Sequence, residues 1–95
     1  MKIQDYYQQT VKVVSELTGV DVSDINSKRR YQPLVDARYL IMMLMHTSGY
    51  CPAQIAEVMG ISVRWVQKIV SLPLSSVSRS VRINYEEAVN ILRIN

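Results

Sequence analysis

Cysteine is nearly missing from the chain. Cys51 stands alone, so no internal disulfide can form, and a reducing compartment, the cytoplasm, is the expected home. Long hydrophobic runs are missing as well. The longest, Leu40–Met45, is six residues, against the roughly 20 that a membrane-spanning helix needs, so no membrane partner is expected. The opening Met1-Lys2-Ile3-Gln4-Asp5 has no apolar signal core, which argues against secretion. Histidine occurs once, at His46, with no second His or Cys at ligand spacing, so no metal is assigned. Cys51 beside Pro52 has no base partner and reads as a buried or capping thiol rather than a nucleophile. There is no glycine-rich phosphate loop, no paired-carboxylate arrangement and no Ser/His/Asp set. The chain is therefore read as a non-enzyme without a cofactor.

What is present is the material of one small core. Apolar residues make up 48% of the 95, which places the chain with globular rather than disordered sequences. A chain of this length buries roughly two-thirds of its unfolded surface, enough for one domain spanning residues 1–95. Only three Gly and three Pro occur, and stretches of alternating apolar and polar residues are few. The fold class is therefore all-α, a small helical bundle.

Charge is distributed unevenly. The net formal charge is +3, but residues 26–82 alone carry Lys28, Arg29, Arg30, Arg38, Arg64, Lys68, Arg79 and Arg82 against Asp36 and Glu57, while both ends are slightly acidic. A basic middle segment points to an anionic partner, of which nucleic acid is the commonest.

The helical reading runs as follows. A first helix over 3–17 places Tyr6, Tyr7, Val11, Val13, Val14 and Leu17 at the spacing of one buried face, and Gly19 ends it. Residues 20–32 form a polar connection holding Ile25 and Lys28-Arg29-Arg30. Pro33 opens a second helix to about Thr47; it is apolar nearly all round from Tyr39 to Met45, the mark of a buried centre, with Met42, Met43 and Met45 as gap fillers. Ser48-Gly49-Tyr50 make a turn, and a third helix runs from Pro52 to Met59. Gly60 turns the chain, and Ser62 caps a fourth helix to about Ser71, stopped by Leu72-Pro73. Residues 74–82 are Ser-rich, either a short helix or a loop. Asn84-Tyr85-Glu86-Glu87 has capping-box spacing for a last helix over 85–93.

The stretch from Pro52 to Val70 has the spacing of a helix-turn-helix. Two short helices that cross steeply need a small residue at their contact, and Ala56 stands four before the turn. The turn needs a residue free in φ, and Gly60 supplies it. Ile55, Met59, Ile61, Val66 and Ile69 stand at the offsets that fill the angle between helices. The bland alternative is an ordinary corner of two helices. On a helical wheel Val66, Ile69 and Val70 fall together, with Arg64, Gln67, Lys68 and Ser71 opposite them. Arg64 and Lys68 are like charges one turn apart, a pairing that an anion between them would relieve. Trp65 lies at the flank and is expected at the core edge. The candidate DNA-binding residues are Lys28, Arg29, Arg30, Arg38, Ser62, Arg64, Gln67, Lys68 and Ser71. For Arg38 the alternative is a pair with Asp36 or another carboxylate, and for Lys28-Arg29-Arg30 a solvated loop.

The stretch from Ile25 through Lys28-Arg-Arg, Pro33, Ala37-Arg38 and the apolar run to Met45, followed after a short turn by Pro52–Val70, resembles the C-terminal DNA-binding domain of the bacterial replication initiator DnaA. The resemblance covers roughly residues 11–71. It implies a Trp-repressor-like helical fold, Arg38 reaching into the minor groove and Lys28, Arg29 and Arg30 on the backbone. The family's Asp-His-Thr-Thr-Val in the recognition helix is replaced here by Ser62-Val63-Arg64-Trp65-Val66, and no Gly-x-x-x-x-Gly-Lys-Ser/Thr of an ATPase module occurs.

Two functions follow. The leading one is binding of double-stranded DNA by a small transcription or replication regulator or a mobile-element accessory protein. Helix 62–71 then lies in the major groove, with the Lys28–Arg30 loop on phosphates. The alternative is a helical protein-interaction module that has lost DNA binding, with Tyr6 and Tyr7 of the N-terminal helix forming a homodimer seam. A DNA binder is expected to bring Arg30, Arg38, Arg64 and Lys68 onto one face.

Overall fold

The computed structural model describes residues 2–93. The first helix, α1 (Ile3–Thr18), turns Tyr7, Val11 and Val14 inward at three- and four-residue spacing. Thr10 shares that face and is fully buried; its hydroxyl donates to the Tyr6 carbonyl (2.8 Å), so the polar atom is satisfied without water. Gly19 closes α1 at φ 76°, its N–H donating to the Ser15 carbonyl.

The connection after α1 is not wholly irregular, as the sequence had suggested. A single helical turn, α2 (Val22–Ile25), sits within it. Ile25 is 4% exposed, so anchoring this one apolar side chain in the core sets the turn.

The centre of the molecule is α3 (Gln32–Thr47), with Pro33 in its first turn. Leu34, Ala37, Leu40, Ile41, Met42, Leu44 and Met45 are all at most 1% exposed. Burial on every side requires neighbours on every side, and α1, α2, α4 (Pro52–Met59), α5 (Val63–Val70) and α6 (Arg79–Leu92) each pack against α3. Met42 and Met45 are fully buried, and Met43 is partly so.

The last helix begins earlier than its sequence pattern suggests. Asn84 is not an N-cap but an interior residue of α6; the cap is Ser78, whose Oγ accepts from the Val81 N–H (3.4 Å). The physical reason is the apolar stripe Val81, Tyr85, Ala88, Val89 and Leu92, which runs straight through Asn84 and packs on the core. Before it, the Ser-rich stretch makes a 3-10 turn at Leu74–Ser76.

Tyr7 is buried and Tyr6 partly buried within the molecule itself. Tyr7 is 8% exposed and donates to Asn26 Oδ1 (3.0 Å), and Tyr6 bonds to Ser48 and packs its ring against Tyr50 at 5.4 Å. No helix among the described residues is long and apolar enough to cross a membrane.

Candidate nucleic-acid interface

The helix-turn-helix is built from α4, a glycine turn and α5. At the start of α4, Cys51 occupies the N-cap position and is exposed, the capping rather than the buried alternative; its N–H donates to Gln54 Oε1 (2.9 Å). At the end, Gly60 adopts φ 69°, and the Ile61 N–H reaches back to the Ala56 carbonyl (3.0 Å). That back-bond over a left-handed residue is the closure that Gly allows at least strain. Ser62 Oγ then accepts from the Trp65 N–H (3.2 Å) and caps α5.

The inner faces of the two helices hold α5 in a fixed attitude. Ile55 and Val66 are fully buried, Ile69 is 3% and Ala56 6% exposed. Trp65 lies half-buried at the core edge, edge-on to Tyr39 of α3 at 6.4 Å. The outer face is all solvent. Ser62, Arg64, Gln67, Lys68 and Ser71 are exposed, and neither Arg64 nor Lys68 pairs with a carboxylate among the described residues. Two unpaired cations one turn apart, with a planar amide beside them on a rigidly seated helix, form a surface suited to phosphate and base edges.

One exposed residue of this face is absent from the sequence-derived set. Val63, the first residue of α5, is 42% exposed and takes no part in the core. The helical wheel carried the signal, because four residues place Val63 only about 40° from Gln67.

The second cluster is the loop between α2 and α3. Lys28, Arg29 and Arg30 are all exposed. Arg29 lies 3.7 Å from Asp24, a solvent-open pair that holds the side chain only weakly. The Ser27 hydroxyl donates to the Asp24 carbonyl (2.6 Å) and accepts from the Arg29 N–H (3.2 Å), which shapes the loop locally. Tyr31, at its end, stands eight residues before Tyr39, the partner of Trp65. At 1.5 Å per residue, about 12 Å of α3 separates the end of the loop from the residue that Trp65 packs against.

Arg38 does not join these residues, and the expectation of a groove contact is corrected. It is 7% exposed. Its guanidinium donates to four backbone carbonyls: Ser27 (2.6 Å), Arg29 (2.8 Å), Ile25 (3.2 Å) and Asp24 (3.4 Å). Nor does it pair with Asp36, whose carboxylate accepts from Gln32. The fork of five N–H donors that suits Arg to a base edge serves here to tie α2 and the basic loop onto α3. Of the four cations expected on one face, Arg30, Arg64 and Lys68 are exposed and Arg38 is not.

No group of three or more His, Cys, Asp or Glu side chains that could hold a metal ion stands together among the described residues. His46 lines a shallow recess of about 230 Å³ with Met43, Thr47, Val70, Leu72, Leu74 and Tyr85, a set that includes no carboxylate.

Compared with known proteins, residues 33–76 match the homeodomain-like domain family. The matched segment spans α3, α4, α5 and the 3-10 turn, the structural unit of a helix-turn-helix. The match supports a helix-turn-helix of the DNA-binding kind at these residues and does not single out the replication-initiator family. No curated protein and no solved structure matches the chain.

Proposed function

We propose that residues 1–95 act as one domain that binds double-stranded DNA without catalysis. In this reading α5 enters the major groove, the Lys28–Arg30 loop holds phosphates, and occupancy of a DNA site serves a small regulator of transcription or replication or a mobile-element accessory. The observation that carries the reading is the outer face of α5. Arg64, Gln67 and Lys68 are exposed there, and no carboxylate among the described residues neutralises the two cations, on a helix whose other face is locked by Val66 and Ile69. A solvated helix gains nothing from like charges one turn apart, whereas the major groove accepts an α-helix and offers acceptors to both.

The two clusters carry different work. Arg64 and Gln67 have planar donors able to pair with guanine and adenine edges. Lys28, Arg29 and Arg30 are on a loop suited to backbone phosphate. Arg64→Ala is expected to weaken a preferred site by about 1–3 kcal/mol and leave random DNA nearly unchanged, while Arg30→Ala weakens both alike and makes the salt slope shallower by about one. Titration of duplex DNA at several salt concentrations tests the whole reading. Four to five phosphate contacts give a log–log slope near −4. A flat response, or no binding at low salt, removes DNA as the partner.

A further inference from the structure

The helix α5 carries five apolar side chains, of which Trp65, Val66, Ile69 and Val70 pack on the core. Val63 does not. It is 42% exposed at the first position of the helix, and the wheel sets it about 40° from Gln67 and about 100° from Arg64. Local physics does not ask for valine there. A β-branched residue is a mediocre helix former, and Ser62 already supplies the cap.

We propose that Val63 reads a thymine methyl in the major groove and, with Gln67 one turn away, directs α5 to an A·T pair. The inference rests on the DNA-binding reading above. In the major groove an A·T pair presents the adenine N7 acceptor and N6 donor beside the thymine C5-methyl, and no other pair presents that combination. Gln67 has the amide to serve the adenine edge. Val63 has the only apolar surface on the outward face of α5, and its methyl groups can cover the thymine methyl and exclude water from it. Four residues rise about 6 Å along the helix, so the two side chains reach the same base pair or neighbouring ones. Arg64 and Lys68 lie beyond Gln67 on the same side of the helix; Arg64 keeps its own base edge, and Lys68 supplies attraction to the backbone without choosing a base.

The test begins with selection of bound duplexes from a random pool. Each thymine of the preferred duplex is then replaced singly by deoxyuridine, which lacks only the C5-methyl. At one position the wild-type protein is expected to lose about fourfold in affinity, the worth of one buried methyl carbon. Val63→Ala is expected to bind the thymine duplex more weakly, to ignore that same replacement, and to bind random DNA as the wild type does. Because Val63 is exposed, circular dichroism and the thermal midpoint of the variant are expected to stay at wild-type values. The inference is overturned if no deoxyuridine position weakens the wild type, if the selected duplex has no thymine, or if Val63→Ala loses affinity to the same extent on that replacement. Salt-dependent binding that is indifferent to deoxyuridine removes only the role of Val63. Absence of duplex binding removes the DNA reading itself.

Discussion

Replacing Arg38 by Met separates a structural cation from a DNA-contacting one. The substitution keeps the length of the apolar stem and deletes the guanidinium, leaving the carbonyls of Ser27 and Arg29 without their donors at 2.6 and 2.8 Å and Ile25 without its donor at 3.2 Å. A hydrogen bond from a charged donor is worth about 1.5–3 kcal/mol, and a carbonyl left unpaired in a buried place costs about 1–3 kcal/mol. These carbonyls are next to solvent-exposed loop residues, so water recovers part of the loss. We expect Arg38→Met to cost about 3–4 kcal/mol, a large share of the roughly 5–14 kcal/mol that a domain of this size has. The thermal midpoint then falls by about 12–30 °C. Urea unfolding followed by circular dichroism measures it directly. Arg38→Lys keeps the charge but not the fork, and is expected to lose most of the same stability. DNA titration at a temperature where both variants are fully folded gives the second readout. If Arg38→Met unfolds within about half a kcal/mol of wild type while specific affinity falls tenfold, the assignment is wrong, and Arg38 is a groove contact after all.

Three further outcomes follow from the packing. Leu44 is fully buried at the centre of α3, so Leu44→Ala is expected to cost about 2–5 kcal/mol by chemical denaturation, and a loss under about half a kcal/mol means the core is elsewhere. Gly60 has φ 69° with open space around its Cα, so Gly60→Ala meets only backbone strain, about 1–2 kcal/mol, and Gly60→Asn is expected to recover part of it; a neutral Gly60→Ala denies the left-handed turn. Burial raises the pKa of the Tyr7 phenol, partly offset by the Arg38 charge. The folded state therefore favours the protonated form, and this stability is fully present below the unfolded tyrosine value of about 10 and is lost as pH climbs through the raised folded value. Urea midpoints from pH 7 to 11 are expected to fall on the alkaline side, and Tyr7→Phe, about 1 kcal/mol weaker at neutral pH for want of the bond to Asn26, is expected to show a shallower alkaline fall; an identical fall in both proteins shows that Tyr7 does not drive it.

Local signals located the main helices, because each boundary there is written in a residue that acts on its own backbone. Gly19 and Gly60 take left-handed φ, Pro33 opens α3, and Ser62 caps α5. The same local reasoning misplaced the start of α6. Asn84 and Glu87 satisfy a capping pattern in isolation, but Val81 is 3% exposed, and burying it extends the helix upstream to Ser78. The turn α2 had no legible signal. It is four residues long and is sustained by Ile25 in the core and by Arg38 on its carbonyls, contacts that exist only once the chain has closed. Val63 is legible on the wheel, about 40° from Gln67, but an exposed apolar residue has no charge or hydrogen-bonding group to mark it beside Arg64, Gln67 and Lys68.

Arg38 shows how a charge count can find a working part and misplace its work. Basic residues concentrate in the middle of the sequence, and a cation near the start of a helix invites a groove assignment. Yet every carbonyl that Arg38 holds belongs to the segment Asp24–Arg29, which runs into Lys28, Arg29 and Arg30. With its carbonyls turned inward to a single guanidinium, that segment keeps a fixed path while its three basic side chains stay in solvent. A loop ordered before binding need not be ordered by binding, and each immobilised side chain otherwise costs about 0.5–1.5 kcal/mol of affinity. The consequence separates positioning from contact by salt dependence. Losing a phosphate contact shifts the log–log slope by about one, whereas loosening the loop through Arg38→Lys leaves the number of cations unchanged. The affinity of that variant is expected to fall at every salt concentration with the slope preserved. For Arg38→Met, which does remove the charge, a slope shallower by one would mean that the Arg38 charge itself displaces a counterion, which a guanidinium 7% exposed and bound to four carbonyls is badly placed to do.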